Sequence, residues 1–188
     1  VLQQVKPGMW EYELEAEISH ELTINRANGH AYSPIIAGGI NSCVLHYINN
    51  NELLKDGDIA LLDFGAEYGN YASDLTRTIP VNGKFTERQK QIYDATYQVF
   101  LLARKNLVKG ITLKDFQSTV VEEMDKQLIG LGLYSLQELK SQDKNKPLHR
   151  RYFMHGTSHF MGLDVHDVGD RNSKLEPGMI LTCEPGIY

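Results

Sequence analysis

Apolar residues recur at helical spacing in three stretches of the chain. In the first stretch, Trp10, Leu14 and Ile18 alternate with glutamates, which predicts an amphipathic helix with these three side chains on its apolar face. Glycines end the other two stretches, and Thr112 with Asp115 has the form of a helix-start capping box. The predicted helices cover residues 9–24, 86 to about 109, and 112 to about 129.

Short apolar runs between turn residues predict strands. Residues 59–64 follow an Asp-Gly-Asp turn and predict a buried strand, and residues 71–81 return after a hairpin. Residues 30–50 predict further strands and loops, and residues 179–184 predict a last strand between two Pro-Gly turns. Because strands precede and follow a central pair of helices, the pattern predicts one mixed α+β domain over residues 1–188.

Composition indicates a globular domain and excludes several other classes. With 41% hydrophobic and 23% charged residues, the chain has ordinary globular usage. The net charge is −5, whereas nucleic-acid-binding domains usually have a basic excess, so we expect no nucleic-acid partner.

No apolar run reaches the length of a membrane span and no signal sequence opens the chain, so we expect no membrane partner. We expect a cytoplasmic protein in which Cys43 and Cys183 are buried free thiols.

Two aspartates lie where paired strands would bring them together. Asp63 is near the end of the apolar strand over 59–64, and Asp74 follows across the predicted hairpin. Two ionised carboxylates in one apolar site repel each other, and a shared cation removes that cost. In the competing interpretation, one aspartate caps a turn and the other pairs with Arg77 or Arg88. The spacing alone leaves both interpretations open.

Three of the seven histidines lie within twelve residues. His155, His159 and His166 are separated by glycines, and neutral imidazole is the commonest metal ligand and proton carrier near neutral pH. The first two have the spacing of a zinc-binding helix, but the glutamate of that motif is absent and Gly156 disfavours a helix. A single histidine of this kind is usually structural, whereas three of them favour a site.

Glu184 ends the last predicted strand, directly before a Pro-Gly turn. Thr182 shares its face of the strand and can support the carboxylate with a hydroxyl. A lone glutamate in this position is usually solvated, but beside two aspartates and a histidine cluster it is a credible ligand. This oxygen-rich set suits Mn, Fe, Co or Zn, and carboxylates that can bridge favour two metal ions.

Together these motifs resemble those of the pita-bread (creatinase/aminopeptidase) metallopeptidases, and within them the aminopeptidase P (Xaa-Pro aminopeptidase) group. The resemblance extends over nearly the whole chain, and the order of the motifs makes it specific. The matching motifs are Asn-Ser-Cys-Val-Leu-His-Tyr around His46, Leu-Leu-Asp-Phe-Gly around Asp63, Ser-Asp-Leu-Thr-Arg-Thr around Asp74, the run from His155 to Gly169, and Thr-Cys-Glu-Pro-Gly around Glu184.

The resemblance implies a dinuclear metallopeptidase with a truncated pita-bread fold. Asp63 would chelate one divalent ion, and Asp74 would bridge both. His159 and Glu184 would hold the other ion. The ions would most often be Mn²⁺, with Zn, Co or Fe as alternatives. Glu184 would also be the general base for a metal-bridging hydroxide.

The resemblance also implies a substrate and its contacts. The reaction would be hydrolysis of the bond between an N-terminal residue and a following proline, in a proline-containing peptide. An Xaa-Pro bond has no N–H and carries a constrained ring, so a dedicated site for it is plausible. His46, His155 and His166 would be outer histidines of the catalytic site, with His155 beside the pocket for the proline ring. The family often forms homo-oligomers.

The chain departs from the family pattern in its extent. The family has a fifth ligand, a second glutamate in a later strand, and an N-terminal domain upstream. We therefore expect residues 1–188 to be an incomplete catalytic domain that binds two metals poorly and is inactive by itself. The rival interpretations are a prolidase specific for Xaa-Pro dipeptides, a methionine aminopeptidase, a non-catalytic protein-binding module, and a metal-free creatine-type hydrolase.

Overall fold

The chain divides into two units in the computed structural model, which describes residues Val1–Tyr188. The first unit comprises Val1–Thr86 and Met161–Asp167, and the second comprises Glu87–Phe160 and Val168–Tyr188. Each unit has its own hydrophobic core. The site residues are therefore positioned by two separate frameworks.

The first unit combines one helix with two three-stranded antiparallel sheets. The elements of this unit are α1 (Glu11–Ile24), β1 (Gly29–His30), β2 (Ile35–Gly38), β3 (Ile59–Phe64), β4 (Ala66–Tyr68), β5 (Tyr71–Ala72) and β6 (Leu75–Pro80), with a 3-10 turn over Gly39–Cys43. One sheet has the order β1-β4-β5 and the other the order β2-β3-β6. The predicted strand over 59–64 and its antiparallel return are confirmed.

The buried face of α1 differs from the predicted face. Leu14 and Ile18 are buried in the core of the first unit, as expected. Trp10, which was expected beside them, is 41% exposed, and the carboxylate-bearing Glu11 is 0% exposed instead. Positions i, i+3 and i+7 lie on one face of a helix, so Glu11 shares the face of Leu14 and Ile18. The prediction for Trp10 is wrong because Trp10 is the extended N-cap residue, directly before the first turn of α1, and does not share the helical face.

The second unit is mainly helical. The two long predicted helices are confirmed, and the Thr112 hydroxyl accepts the Asp115 N–H at 3.0 Å at the start of the second helix. A short helix that was not predicted begins after Ser135, where Ser135 and Glu138 form a capping box. The elements are α2 (Glu87–Asn106), α3 (Leu113–Gly130), α4 (Leu136–Ser141) and a 3-10 turn over Leu148–Arg151.

The core of the second unit is built on one face of α3. Its fully buried side chains include Phe116, Val120 and Met124, which recur at helical spacing. Val99 of α2 and Phe153 belong to the same cluster. This core supports the segment that carries His155 and His159.

The last predicted strand, residues 179–184, is wrong as a strand assignment. The segment forms a single isolated bridge, between Phe160 and Leu181. The N–H groups of Thr182 and Glu184 nevertheless donate to the carbonyls of His159 and Thr157, at 3.0 and 2.9 Å. The segment is therefore paired with residues 157–160, but the pairing is too short and irregular to be a strand. No helix in the structure has the length and apolar character needed to cross a membrane.

Candidate metal centre

The two aspartates of the first unit lie around one tyrosine hydroxyl. Strands β3 and β6 pair with Asp63 opposite Thr76 and Phe64 opposite Leu75, so Asp74, directly before β6, lies near the end of β3. The Tyr32 hydroxyl is 2.5 Å from Asp63 Oδ1 and 3.1 Å from Asp74 Oδ1. The predicted proximity of the two carboxylates is confirmed.

The Tyr32 hydroxyl is a permanent donor to this pair. Burial, followed by the hydrogen bond to Asp63, raises the pKa of Tyr32 far above its ordinary value. The hydroxyl therefore keeps its proton at neutral pH. One O–H proton cannot neutralise two carboxylates, so the donor set of the first unit fits a bound cation.

The two arginines of the competing interpretation have partners other than the aspartates. Arg77 donates to the Thr76 carbonyl at 2.7 Å. Arg88 donates to the Leu131 carbonyl at 3.0 Å and to Gln91 at 3.2 Å. These contacts favour the interpretation in which Asp63 and Asp74 form a cation site.

In the second unit, His159 and Glu184 form a close pair. His159 Nε2 lies 3.2 Å from Glu184 Oε1. The short backbone bridge between 157–160 and 181–184 brings the two residues together. Thr182 completes the arrangement: its hydroxyl accepts the His159 N–H at 3.0 Å and donates to Glu184 Oε1 at 2.8 Å. The predicted support of Glu184 by Thr182 is confirmed.

The hydrogen bonding of His159 indicates which ring nitrogen is available as a ligand atom. Its Nδ1 lies 2.9 Å from the Phe160 carbonyl, which can only accept, so Nδ1 carries the proton in the neutral ring. Nε2 then directs a lone pair toward the carboxylate of Glu184. Two electron-rich atoms in this arrangement fit a metal ion, and a backbone carbonyl on the other nitrogen is the usual partner of a metal-binding histidine.

His155 is half-buried among aromatic rings in the second unit. Phe153 and Tyr188 both meet its ring edge to face, with centroid distances of 5.0 and 5.3 Å. Its Nδ1 is 2.8 Å from the Gly156 carbonyl, and its Nε2 is 3.0 Å from the Tyr188 hydroxyl. By the same reasoning as for His159, Nε2 is the acceptor. The aromatic walls give His155 a fixed orientation and an apolar surrounding.

The other two predicted histidines belong to the first unit, and both are exposed. His46 has a left-handed backbone, with φ of 55°. His166 lies in the short segment Met161–Asp167, which is held to β5 by the bond from the Ala72 N–H to the Gly162 carbonyl, at 2.8 Å. The cysteine prediction is half right: both thiols are free, but Cys43 is exposed and Cys183 is half-buried.

Sequence reasoning missed Tyr32. The chain has ten tyrosines, and composition does not separate Tyr32 from the others. Tyr32 lies 31 residues before Asp63, in a stretch with no regular periodicity, so no local pattern marks it. Only its later partnership with two acidic residues distinguishes it from the other nine.

Carboxylate-rich, metal-dependent hydrolases use donor groups of this kind. Here they are the aspartate pair Asp63 and Asp74 and the imidazole–glutamate pair His159 and Glu184. The chain belongs to metallopeptidase family M24, whose model matches residues 1–188. The predicted family is thereby confirmed.

Individual relatives agree with this assignment. The chain is 44% identical over 193 residues to Xaa-Pro aminopeptidase of Escherichia coli, and the match covers 100% of this chain and 43% of the relative. It is 38% identical over 212 residues to Xaa-Pro dipeptidase of Mus musculus, covering 100% of this chain and 42% of that protein. The chain therefore spans less than half the length of these relatives.

Solved structures confirm the pita-bread fold. Proline aminopeptidase P II from Yersinia pestis is similar with a TM-score of 0.91 and 44% identity, over 98% of this chain and 43% of that chain. Zinc-substituted aminopeptidase P of Escherichia coli in complex with product is similar with a TM-score of 0.92 and 44% identity, over 98% of this chain and 42% of that chain.

Proposed function

We propose that the whole protein is a metal-dependent aminopeptidase that hydrolyses the bond between an N-terminal residue and a following proline. The observation that carries the metal part is the position of His159 Nε2, 3.2 Å from Glu184 Oε1. The substrate class comes from the relatives named Xaa-Pro aminopeptidase, which match the chain over its whole length.

Four residues of this chain would hold two divalent ions in this proposal. Asp63 would hold one ion and Asp74 would contribute to both, which accounts for two carboxylates grouped around the Tyr32 hydroxyl. His159 and Glu184 would hold the other ion. Manganese is the proposed metal, with zinc, cobalt or iron as alternatives, because a carboxylate-rich set with one imidazole accepts all four. Residues 1–188 form part of the catalytic domain.

The bound ions would polarise the scissile carbonyl and lower the pKa of water. Glu184 accepts the proton of the attacking water at its carboxylate, whose Oε1 is oriented by the Thr182 hydroxyl. His159 keeps its Nδ1 proton on the Phe160 carbonyl, so its Nε2 does not act as a proton donor. In this assignment Glu184 is both a ligand and the base, whereas His159 is a ligand only.

The three outer histidines have substrate-contacting roles in this proposal. His155, between Phe153 and Tyr188, offers an apolar wall and fits the ring of the substrate proline. His46 and His166 are exposed in the first unit and can donate hydrogen bonds to the substrate or to the tetrahedral intermediate. We further propose a cytoplasmic homo-oligomer without nucleic-acid or membrane partners, in keeping with the net charge of −5.

A prolidase is the second candidate, because Xaa-Pro dipeptidase of Mus musculus also matches the whole chain. The decisive experiment measures release of the N-terminal residue from an Xaa-Pro-Xaa peptide and from an Xaa-Pro dipeptide, before chelation, after chelation and after Mn²⁺ is restored. Metal-dependent cleavage of the longer peptide supports the aminopeptidase. Cleavage of the dipeptide alone supports the prolidase. Cleavage of neither, by a folded protein, supports a protein-binding module.

A further inference from the structure

Glu11 is a fully buried carboxylate whose partners are neutral donors. Its Oε1 accepts the Gly38 N–H at 2.7 Å. Its Oε2 accepts the Tyr47 hydroxyl at 2.8 Å and the Glu52 N–H at 2.9 Å. Burial of a carboxylate is costly unless both oxygens are satisfied, so these bonds fix the carboxylate in one position.

Gly38 lies beside both Leu54 and Glu11. A Cβ atom at Gly38 would lie 2.6 Å from Leu54 Cδ2, far below van der Waals contact, and 3.4 Å from Glu11 Oε1, which is an ordinary contact. The missing side chain at Gly38 therefore leaves room for Leu54 beside the Glu11 carboxylate.

The segment that Glu11 holds, residues 44–52, has neither helix nor strand. Two of its side chains, Tyr47 and Asn50, are buried, whereas His46 between Leu45 and Tyr47 is exposed. Asn50 accepts the Ile36 N–H at 3.0 Å and donates to the Pro34 carbonyl at 2.9 Å. The segment is thus fixed by polar contacts to α1 and β2 rather than by a hydrogen-bonded ladder.

Two residues of this segment have left-handed backbones, His46 with φ of 55° and Asn50 with φ of 46°. Non-glycine residues rarely adopt this conformation, and it persists where the surroundings hold it. Each left-handed residue is followed by a residue that Glu11 binds: Tyr47 directly follows His46, and Glu52 follows Asn50 by two residues. Without Glu11, the Tyr47 hydroxyl next to His46 and the Glu52 N–H would lose this acceptor.

We propose that Glu11 is a positioning residue that places His46 for substrate contact by holding Tyr47 and Glu52. The substrate role of His46 rests on the proposed function, whereas the anchoring of the segment does not. Glu11 touches neither substrate nor metal, and its effect on catalysis passes through His46.

The test uses four variants of the whole protein: Glu11→Gln, Tyr47→Phe, His46→Ala, and the double variant that combines Tyr47→Phe with His46→Ala. Glu11→Gln replaces one acceptor oxygen by an amide NH₂ group, which then faces N–H or O–H donors. Tyr47→Phe removes one hydroxyl without changing the packing. Ile18→Val, on the same face of α1, is the control for a loss of stability alone. The readouts are kcat and KM on an Xaa-Pro-Xaa peptide, Tm, and amide hydrogen exchange at Gly38 and Glu52.

We expect Glu11→Gln to lower kcat/KM by about 10-fold and Tyr47→Phe by about 3-fold, since displacements of even an ångström cost up to about 100-fold. In the His46→Ala background, Tyr47→Phe should have little further effect, because coupled residues are not additive. Ile18→Val should lower Tm but leave kcat/KM within about twofold. Exchange at Gly38 and Glu52 should accelerate in Glu11→Gln.

Full additivity of Tyr47→Phe with His46→Ala would overturn the proposal, as would losses of kcat/KM that merely follow Tm in all variants. If the whole wild-type protein does not cleave the peptide, the proposed function fails. Hydrogen exchange then decides the anchoring alone: unchanged protection of the Glu52 amide in Glu11→Gln would refute it.

Discussion

The two pairs of proposed ligands are built by different means. In the first unit, Asp63 and Asp74 come from the end of one strand and the start of its neighbour, and a distant tyrosine hydroxyl joins them. In the second unit, His159 and Glu184 are joined by a short backbone bridge and one threonine. The aspartate pair thus depends on sheet register, whereas the histidine–glutamate pair depends on a few local hydrogen bonds.

The two units also differ in the residues that their cores contain. The core of the first unit includes the buried polar residues Glu11 and Asn50, which hold an irregular segment. The core of the second unit is built on the apolar face of α3 around Phe116, and the buried polar residues of that unit are the hydroxyl residues Thr157, Ser158 and Thr182 rather than a carboxylate. Polar anchors fix one precise geometry, while apolar packing contributes most of the stability.

The largest expected effect is removal of a proposed ligand charge from either pair. Asp74→Asn and Glu184→Gln should each lower kcat/KM by about 10³-fold, because each weakens metal binding and Glu184→Gln also removes the base. Steady-state kinetics on an Xaa-Pro-Xaa peptide measures the loss. Asp94→Asn, an exposed carboxylate paired with Lys90, is the matched control and should stay within about twofold. Comparable activity of Asp94→Asn and Asp74→Asn would contradict the site.

The next effect concerns the core of the second unit. Phe116→Ala should lower the free energy of unfolding by about 3–5 kcal/mol, because it leaves a cavity at a fully buried position. Denaturation followed by far-UV circular dichroism measures it. Leu136→Ala, at a 54% exposed position of α4, should cost less than about 0.5 kcal/mol. Equal losses for the two variants would show that α3 does not carry this core.

Tyr32→Phe tests the first pair without touching a ligand. Removal of the hydroxyl that both aspartates share should weaken Mn²⁺ binding by about 10- to 100-fold. Calorimetric titration of the metal-free whole protein measures the affinity. Tyr68→Phe removes an exposed hydroxyl from the same unit and should leave the affinity unchanged. If the two variants bind alike, Tyr32 does not orient the aspartates.

Thr182→Val makes the corresponding change in the second pair. The threonine hydroxyl orients Glu184, but the backbone bridge persists without it, so we expect a loss of Mn²⁺ affinity of about 10-fold. Thr119→Val, which removes an exposed helix hydroxyl, is the control for the same chemical change. A larger effect for Thr182→Val than for Tyr32→Phe would reverse the comparison between the two pairs.

The smallest effect is a pH dependence of the second unit alone. Burial lowers the pKa of His149, despite the opposing attraction of Asp125 at 3.8 Å. The unfolded chain therefore binds this proton more readily. His149 leaves the free energy of unfolding unchanged well above pH 6.5 and lowers it as the pH falls through and below 6.5. His149→Gln should reduce the loss of unfolding free energy between pH 7.5 and pH 5. An unchanged loss would assign the pH dependence to other groups.

The sequence predicts those features that follow local periodicity. The strand over 59–64 and the helix that begins after Thr112 have the predicted bounds within a few residues, because alternation, caps and helical spacing mark them. Asp63 and Asp74 could be paired because a hairpin joins their strands. His159 and Glu184 could be proposed as metal ligands only because other acidic residues and histidines occur in the chain and because the motifs resemble those of a family.

Features that depend on long-range partners escaped prediction. Glu11 was assigned to the polar face of α1, since its donors, Gly38, Tyr47 and Glu52, lie 27 to 41 residues away. Tyr32 was missed for the same reason, because its partner Asp63 lies 31 residues away in the sequence. The segment 179–184 was predicted as a strand, but its pairing with residues 157–160 is too short to form one. Composition does not reveal the length of a pairing partner.

The exposure of Cys43 has a practical consequence. Cys43 ends the 3-10 turn just before His46, while burial and the nearby charge of Glu184 raise the pKa of Cys183 to about 11. A maleimide dye at neutral pH should therefore label Cys43 first, without any engineered cysteine. The chain carries its own attachment point for a fluorophore or spin label three residues from His46.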